Sequence, residues 1–248
     1  MRIEGAAALV TGGSRGLGAA LGRRLARDGA RVALVAREER ELQAVARAIR
    51  AAGGEAHALA GDVGDAPSAT ALAGAAAALV GPIDLLVHAA STLGAVPLRL
   101  LLDTGDAQME RALAVNVTGP FRLTRAIAGS MVLRGRGLVL HVTSDASLVP
   151  YPRWGAYGVS KAAFDHLARI WAAELDGTGV RFLSVDPGEM DTRMHAEAVP
   201  EADRTTLGDP AVVAERIVRL LRRAESIPNG ARLEVTGTAA ASGQGKAS

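Results

Sequence analysis

A single α/β domain, built on a doubly wound parallel sheet of about seven strands with helices on both faces, is the fold this chain predicts. Short apolar runs alternate with longer helical segments from one end to the other, the rhythm of strands joined by helical crossovers. The apolar runs are continuous Val, Leu and Ala, as in strands buried on both faces. With 248 residues, 49% of them hydrophobic and 22% charged, the chain suits one sizeable soluble core.

The elements follow in order. Ala6–Val10 reads as a buried strand that runs into the glycine-rich Thr11-Gly12-Gly13-Ser14-Arg15-Gly16-Leu17-Gly18 and then a helix over Gly16–Asp28. Further strands are expected at Arg31–Ala36, Ala56–Ala60, Leu85–His88, Gly137–Thr143, Val180–Asp186 and Arg232–Val235. Helices fall between them at Glu38–Ala52, Ala66–Val80, Gly105–Asn116, Pro120–Arg134, Ala156–Asp176 and Pro210–Arg223. Alanine richness blurs the periodicity of Ala69–Leu79, so composition alone does not set its ends. No fixed-period repeat is present. Residues 1–235 form the expected domain, and 236–248, small, polar and glycine-containing, read as a loose tail.

Composition narrows the function classes. A formal charge of +2, with arginines spread along helices, gives no footprint for nucleic acid. The absence of cysteine removes disulfides and thiolate metal sites and fits a reducing compartment. His57, His141, His166 and His195 show no metal-ligand spacing, so no metal is expected. Met1-Arg2-Ile3-Glu4-Gly5 lacks the apolar core of a signal peptide, and no uncharged stretch reaches membrane-spanning length; the cytoplasm is the expected location.

Two motifs carry chemistry. A strand, a glycine-rich turn and a helix in succession form the setting of a dinucleotide-binding loop: glycines let the backbone approach a pyrophosphate, and the helix start offers unpaired N–H groups. The same arrangement also reads as an ordinary strand-to-helix connection. The second motif is Tyr157 and Lys161, one helical turn apart in a chain with only two tyrosines and two lysines. They are either simple helix neighbours or a phenol set beside a compact ammonium that an arginine could not replace.

Together these residues resemble the short-chain dehydrogenase/reductase family, whose members pair a Thr-Gly-x-x-x-Gly-x-Gly loop with a Tyr-x-x-x-Lys helix on a Rossmann-like sheet. The resemblance runs from about Gly5 to about Val235, and the motifs keep the family's order. Gly61-Asp62-Val63 looks like the family's adenine-contacting segment, and His88-Ala89-Ala90-Ser91 stands where the family has Asn-Asn-Ala-Gly. Asn116 resembles the helix asparagine, and Ser144 lies thirteen residues before Tyr157, as the catalytic serine does. Pro187-Gly188-Glu189-Met190-Asp191-Thr192 matches the segment that closes over the nicotinamide.

The resemblance implies an oxidoreductase that moves a hydride between a nicotinamide and a carbonyl or secondary alcohol. Asn116, Ser144, Tyr157 and Lys161 would be its catalytic set. Gly12, Ser14, Arg15, Gly16, Leu17, Gly18, Arg37, Asp62, Val63, Ala89, Ala90, Pro187, Gly188, Met190 and Thr192, with Tyr157 and Lys161, would bind the cofactor. Tyr157 would act as acid/base, its ordinary pKa near ~10 lowered by Lys161 and the positive oxidised nicotinamide. Lys161 would also hold the ribose hydroxyls, Ser144 orient the substrate oxygen, and Asn116 sustain a water-linked proton path. A strand-end cap for Ser144 and a kink-relieving role for Asn116 are the plainer readings.

Cofactor preference is read at the end of the second strand. An acid there would accept from the 2′-hydroxyl of NAD and repel a 2′-phosphate, whereas here Ala36 is followed by Arg37, and Arg15 sits in the glycine loop. Each arginine alone reads as a surface residue; both together, with no acid at position 36, point to NADP. His88 reads more readily as a buried histidine satisfied by backbone than as a catalytic one. Ser91 adds a side chain where the family has none.

The substrate is expected between the Glu189–Gly208 loop, with its acidic Glu201 and Asp203, and the Thr92–Thr104 segment, with Val149, Pro150, Tyr151 and Trp154 in the pocket. Its partner is thus a small carbonyl or alcohol molecule. Apolar residues around more than one stripe of the 156–176 helix (Ala162, Ala163, Leu167, Ile170, Trp171 and Ala173) predict a homodimer or homotetramer, unless Trp171 and its neighbours fill the core instead. A catalytically retired dinucleotide-binding sensor or scaffold is the competing function. Ser144, Tyr157 and Lys161, all present, argue against it.

Overall fold

The computed structural model of the protein describes residues 1–235; the tail expected over 236–248 lies outside them. Seven strands form one parallel sheet in the order β3-β2-β1-β4-β5-β6-β7, with β1 Ala7–Thr11, β2 Arg31–Ala36, β3 Glu55–Ala60, β4 Leu85–His88, β5 Gly137–Val142, β6 Val180–Asp186 and β7 Arg232–Glu234. The order reverses between β1 and β4. At such a switch point the connections leave toward opposite faces and open a crevice beyond the strands' carboxyl ends.

Strand side chains alternate between two cores, so both faces are dry. Ala8 and Val10 of β1 pack with α1 (Gly16–Arg27), α2 (Glu39–Ala51) and α8 (Pro210–Arg222). Ala7 and Leu9 pack with α3 (Ala66–Val80), α5 (Gly119–Leu133) and α6 (Gly155–Glu174). This double burial is why the strands read as unbroken apolar runs. Trp171 of α6 stacks on Phe182 of β6, centroids 6.1 Å apart and planes 5° apart, so that side chain fills the core as the alternative reading had it. Val159 and Ile170, on the same helix, remain 51% and 40% exposed. Among the described residues no helix is long and apolar enough to cross a membrane.

Most boundaries fall within two residues of the sequence reading, and the alanine-rich α3 matches it because local chemistry sets both ends. The Asp65 carboxylate accepts from Ser68 N at 3.1 Å, and Gly81, at φ +88°, turns the chain out of the helix. Two features differ. The helix expected over Gly105–Asn116 and again, after Pro120, to Arg134 has no gap between its two parts: α4 (Asp106–Leu113) passes through a π-turn at Ala114–Thr118 directly into α5. Within the Glu189–Gly208 loop a short helix, α7 (Arg193–Ala198), forms behind its N-cap Thr192, whose hydroxyl accepts from His195 N at 3.2 Å.

Under the β4 and β5 ends lies a pair of buried histidines. His88 and His141 face each other across the ladder, and both meet the edge of Phe164. The expected backbone partner for His88 is corrected: its Nε2 is hydrogen-bonded to the Thr124 hydroxyl at 2.9 Å. Strand carbonyls are committed to the ladder, so the ring turns to α5. Burial, with His141 and Lys161 nearby, pushes His88 down to about 3, and burial pushes His141 down to about 4 against the pull of Asp165.

Both rings therefore stay neutral in the fold and take up protons on unfolding below pH ~6.5, where unfolded histidine titrates. The stability that depends on them is complete above that pH and declines as pH falls toward 4. We expect urea midpoints to drop steadily from pH 7 to pH 4.5, with up to ~1.4 kcal/mol per pH unit for each histidine. His88→Asn should make that slope shallower. An identical slope in the variant would show that His88 does not carry it.

Candidate functional site

The site is assembled where four strand ends converge on the crevice. Thr11 closes the gap between β1 and β4: its hydroxyl donates to Val87 O at 3.2 Å and accepts from Ala89 N and Ala90 N, each at 3.1 Å. Gly12, at φ +71°, lets the glycine loop lie against that segment, since a Cβ there would sit 2.8 Å from the Ala89 backbone. A Cβ on Gly18 would run into the Gly12 carbonyl, so the first turn of α1 is seated close under the loop. On the far side Thr192 reaches across, its Cγ2 3.5 Å from where a Gly16 Cβ would be.

These elements enclose a cavity of about 550 Å³, within the range of cofactor and small-molecule sites. Every cofactor-side residue expected from Gly12 to Thr192 lines it, as do Ser144, Tyr157 and Lys161. Asn116 does not; it lies buried behind. Tyr151 and Trp154 reach the cavity, whereas Val149 and Pro150 do not and are exposed, a correction to the expected pocket. Glycines that a Cβ would block, an open helix start and an elongated crevice fit a dinucleotide.

At one end of the cavity the second strand delivers Ala36 and then the exposed Arg37, both lining it. Arg15 also lines this end and reaches Glu41 at 4.0 Å. Asp62 accepts from Arg111 Nη2 at 2.6 Å and from Gly64 N at 2.8 Å, which fixes its carboxylate while each oxygen keeps an acceptor position.

At the other end Tyr157, 8% exposed, sits in the first turn of α6 and lines the cavity together with Ser144 and Ser91. Lys161, one turn later, places Nζ 5.5 Å from the Tyr157 ring centroid and donates to Val142 O at 2.8 Å. The expected lowering of the phenol was by Lys161 together with the oxidised nicotinamide. In the chain by itself burial dominates and pushes Tyr157 up to about 12, with the neighbouring serine hydroxyls pulling the other way. Burial also brings Lys161 down to about 8.

Ser144 is both the expected neighbour of Tyr157 and the plain strand-end cap: its hydroxyl accepts from Ala146 N at 3.2 Å and donates to Asp145 Oδ1 at 2.9 Å. Asp145, not singled out from sequence, also accepts from Tyr151 Oη at 2.8 Å. Its only signal was adjacency to Ser144. Asn116, in the π-turn, uses its whole carboxamide. Oδ1 accepts from Thr92 N at 2.9 Å and Ser91 Oγ at 3.2 Å, and Nδ2 donates to Thr92 O at 2.9 Å and Ser160 Oγ at 2.8 Å.

The floor is held by Arg232 of β7, which sequence reading also missed. Its Nη2 donates to Asp186 Oδ2 at 2.7 Å and to Ser144 O at 3.1 Å, tying the ends of β5 and β6 together. Asp186 Oδ1 in turn accepts from Gly188 N at 3.0 Å, shaping the Pro187-Gly188 turn. The ensemble sets a buried phenol, flanked by hydroxyls and one ammonium, at the inner end of an anion-accepting crevice.

A family model described as short chain dehydrogenase matches residues 6–203. The chain is 36% identical to galactitol 2-dehydrogenase (L-tagatose-forming) of Cereibacter sphaeroides, over 95% of each chain. It resembles the structure of a metagenomic short-chain oxidoreductase in complex with NADP, with TM-score 0.81, 33% identity, and coverage of 96% of this chain and 100% of that one. A 7α-hydroxysteroid dehydrogenase complexed with NADH and 7-oxo glycochenodeoxycholic acid superposes with TM-score 0.87 at 29% identity, covering 95% of this chain and 94% of that one.

Proposed function

The chain belongs to the short-chain dehydrogenase/reductase family of oxidoreductases, and on that premise we propose that it is an NADP(H)-dependent enzyme acting on a carbonyl or secondary alcohol, with Tyr157 as acid/base. The observation that carries this reading is the buried Tyr157 lining the cavity with Ser144 and with Lys161, whose Nζ lies 5.5 Å from the phenol ring centroid one helical turn on.

When bound, the nicotinamide supplies or receives the hydride. Backbone N–H groups of the glycine loop and the α1 start would hold the pyrophosphate, and Asp62 would meet the adenine. Tyr157 gives its Oη proton to the substrate oxygen in reduction and takes one in oxidation, while Ser144 fixes that oxygen. Lys161 holds a positive charge beside the phenol and would meet the ribose hydroxyls. Asn116, with no free valence on its carboxamide, braces the Ser91–Thr92 turn rather than binding a relay water through its side chain.

The test is the absorbance of the reduced nicotinamide during incubation with a panel of aldehydes and ketones, and the reverse reaction with polyols and sterols. The alcohol and keto compounds in the names of similar proteins make both classes worth including. No turnover with either cofactor anywhere on the panel would favour the sensor or scaffold reading instead.

NADP preference rests on Arg37 and Arg15 at the end of the cavity, with no acid at position 36. Ala36→Asp combined with Arg37→Ala removes a phosphate partner and adds a repulsive charge, the two-sided way to change specificity. Binding calorimetry should show NADPH affinity falling by roughly ten- to a hundredfold, the scale of a lost charged hydrogen bond, while NADH binding improves. Tighter binding of NADH than NADPH by the unmodified chain would overturn the preference.

We also propose a symmetric homodimer or homotetramer through α5 and α6. Val159 and Ile170 of α6 and Leu133 of α5, the last 90% exposed, are the large apolar side chains these helices leave exposed, with Trp171 stacked inward on Phe182. Light scattering should give a multiple of the 25.4 kDa chain mass, and Ile170→Glu should lower it; a monomer mass across a wide concentration range would count against the assembly.

A further inference from the structure

Asp62 sets a carboxylate in a crevice shaped for anions, and a residue 49 positions away holds it there. Gly61 N donates to Ala36 O at 3.0 Å, so the chain leaves β3 beside the end of β2. Arg111 of α4 reaches over the turn that follows and donates from Nη2 to Asp62 Oδ2 at 2.6 Å, while Gly64 N donates to Oδ1 at 2.8 Å. A Cβ on Gly64 would sit 2.8 Å from Arg111 Nη1 and 3.2 Å from Asp62 Oδ1: guanidinium and carboxylate fill the space a side chain would take. A Cβ on Gly119, at the start of α5, would run into the Val63 carbonyl. The Asp62-Val63-Gly64 turn is thus clamped between α4 and α5, with Asp62 and Arg111 both lining the cavity.

A carboxylate accepts hydrogen bonds and repels phosphate, so whatever part of a dinucleotide meets Asp62 must bring an N–H or O–H. Arg37, at the end of β2, offers itself to the ribose phosphate, which leaves the amino group of the base for Asp62. We propose that Arg111 is a positioning residue for base recognition, holding Asp62 so that its carboxylate accepts from the adenine amino group and rejects a base that carries oxygen in that place. The inference rests on the reading of the cavity as a dinucleotide site and deepens it. With the guanidinium in place the carboxylate cannot swing aside, and an oxygen opposite it is left facing a negative charge without a proton between them. Without the guanidinium, Oδ2 has lost its partner and the side chain can turn to solvent when the wrong base is bound.

Binding calorimetry with NADPH and its hypoxanthine analogue, in which a carbonyl oxygen replaces the amino group, reads this directly. The parent should prefer NADPH. Arg111→Met should shrink that preference about tenfold, the scale of a lost hydrogen bond to a charged group, by weakening NADPH more than the analogue. Arg111→Lys should restore part of it. Removing a positive charge, or loosening α4, acts on both ligands alike, so only their ratio reports the aim of the carboxylate. Asp62→Asn can turn an N–H toward the oxygen and should abolish or invert the preference. Adding Arg111→Met to Asp62→Asn should then leave the ratio unchanged, because the two residues act through one contact. Equal losses for both ligands in a folded Arg111→Met, or a ratio that still falls in the Asp62→Asn background, would overturn the proposal. A parent chain that bound neither ligand would overturn the dinucleotide reading itself, and this inference with it.

Discussion

Tyr157→Phe should abolish turnover while leaving the fold and cofactor binding nearly intact. The substitution removes one oxygen from a residue whose ring is already buried and packed against Trp154, centroids 5.6 Å apart, so packing changes little. What disappears is the buried phenol of the cavity, and with it the proton that the proposed mechanism delivers to the substrate oxygen. Positioned acid/base groups contribute ~10² to 10⁴ in rate, and a loss of that size in kcat is expected. Melting temperature and the affinity for reduced cofactor, read on the same preparation, should stay close to those of the parent. Most of the activity surviving with a verified substrate would remove Tyr157 from the proposed role.

Tyr157 illustrates what the sequence makes legible. Its spacing to Lys161 is four residues, and its offset from Ser144 is set by one strand end and one helix start, so local chain geometry preserves the pattern. The same holds for the glycine loop, where Gly12 and Gly18 answer steric demands that no other side chain meets. Strands β2, β4 and β6 fall where their apolar runs lie because both faces of the sheet are covered.

Other features depend on partners far away in the chain, and no local pattern reports them. Asn116 looks like a mid-helix polar residue until the π-turn aims it at Thr92 and Ser160, 24 and 44 residues away. The downward pull on the Tyr157 phenol was expected from Lys161 together with the oxidised nicotinamide. Depth of burial, which only the fold determines, sets the opposite direction in the chain by itself. The helix at Arg193–Ala198 escaped notice because a six-residue element has too short a periodicity to register.

Arg232 is the clearest such case, and removing it should be the most destabilising change near the site. Its guanidinium lies 88 residues from Ser144 and 46 from Asp186 in sequence, yet bonds to both, and its Nε is 3.6 Å from the Asp165 carboxylate. Asp165 would be raised by burial alone; the His141 ring 3.3 Å away and the Thr143 hydroxyl, which donates to Oδ2 at 2.7 Å, outweigh that and hold it down at about 2, so it is an anion that needs partners. Asp186 is already raised, chiefly by burial, with the Gly188 N–H and Arg232 opposing.

Arg232→Met keeps the stem and deletes the charge, leaving one buried carboxylate short of its cation and a second weakened. Orphaning a buried ion-pair partner costs about 3–5 kcal/mol. Part of this is recoverable, because Asp186 can take a proton. Losing Arg232 moves its folded pKa further above the unfolded value, so the deficit is largest at neutral and higher pH and shrinks as pH falls through the raised pKa. The gap between parent and variant in urea unfolding should accordingly be wide at pH 8 and narrower at pH 5. Adding Asp186→Asn to Arg232→Met should recover stability at pH 8 and little at pH 5. A gap that stayed constant with pH, or a double variant weaker than the single one at pH 8, would mean that Arg232 acts through packing of its stem and not through the charge it places between β5, β6 and β7.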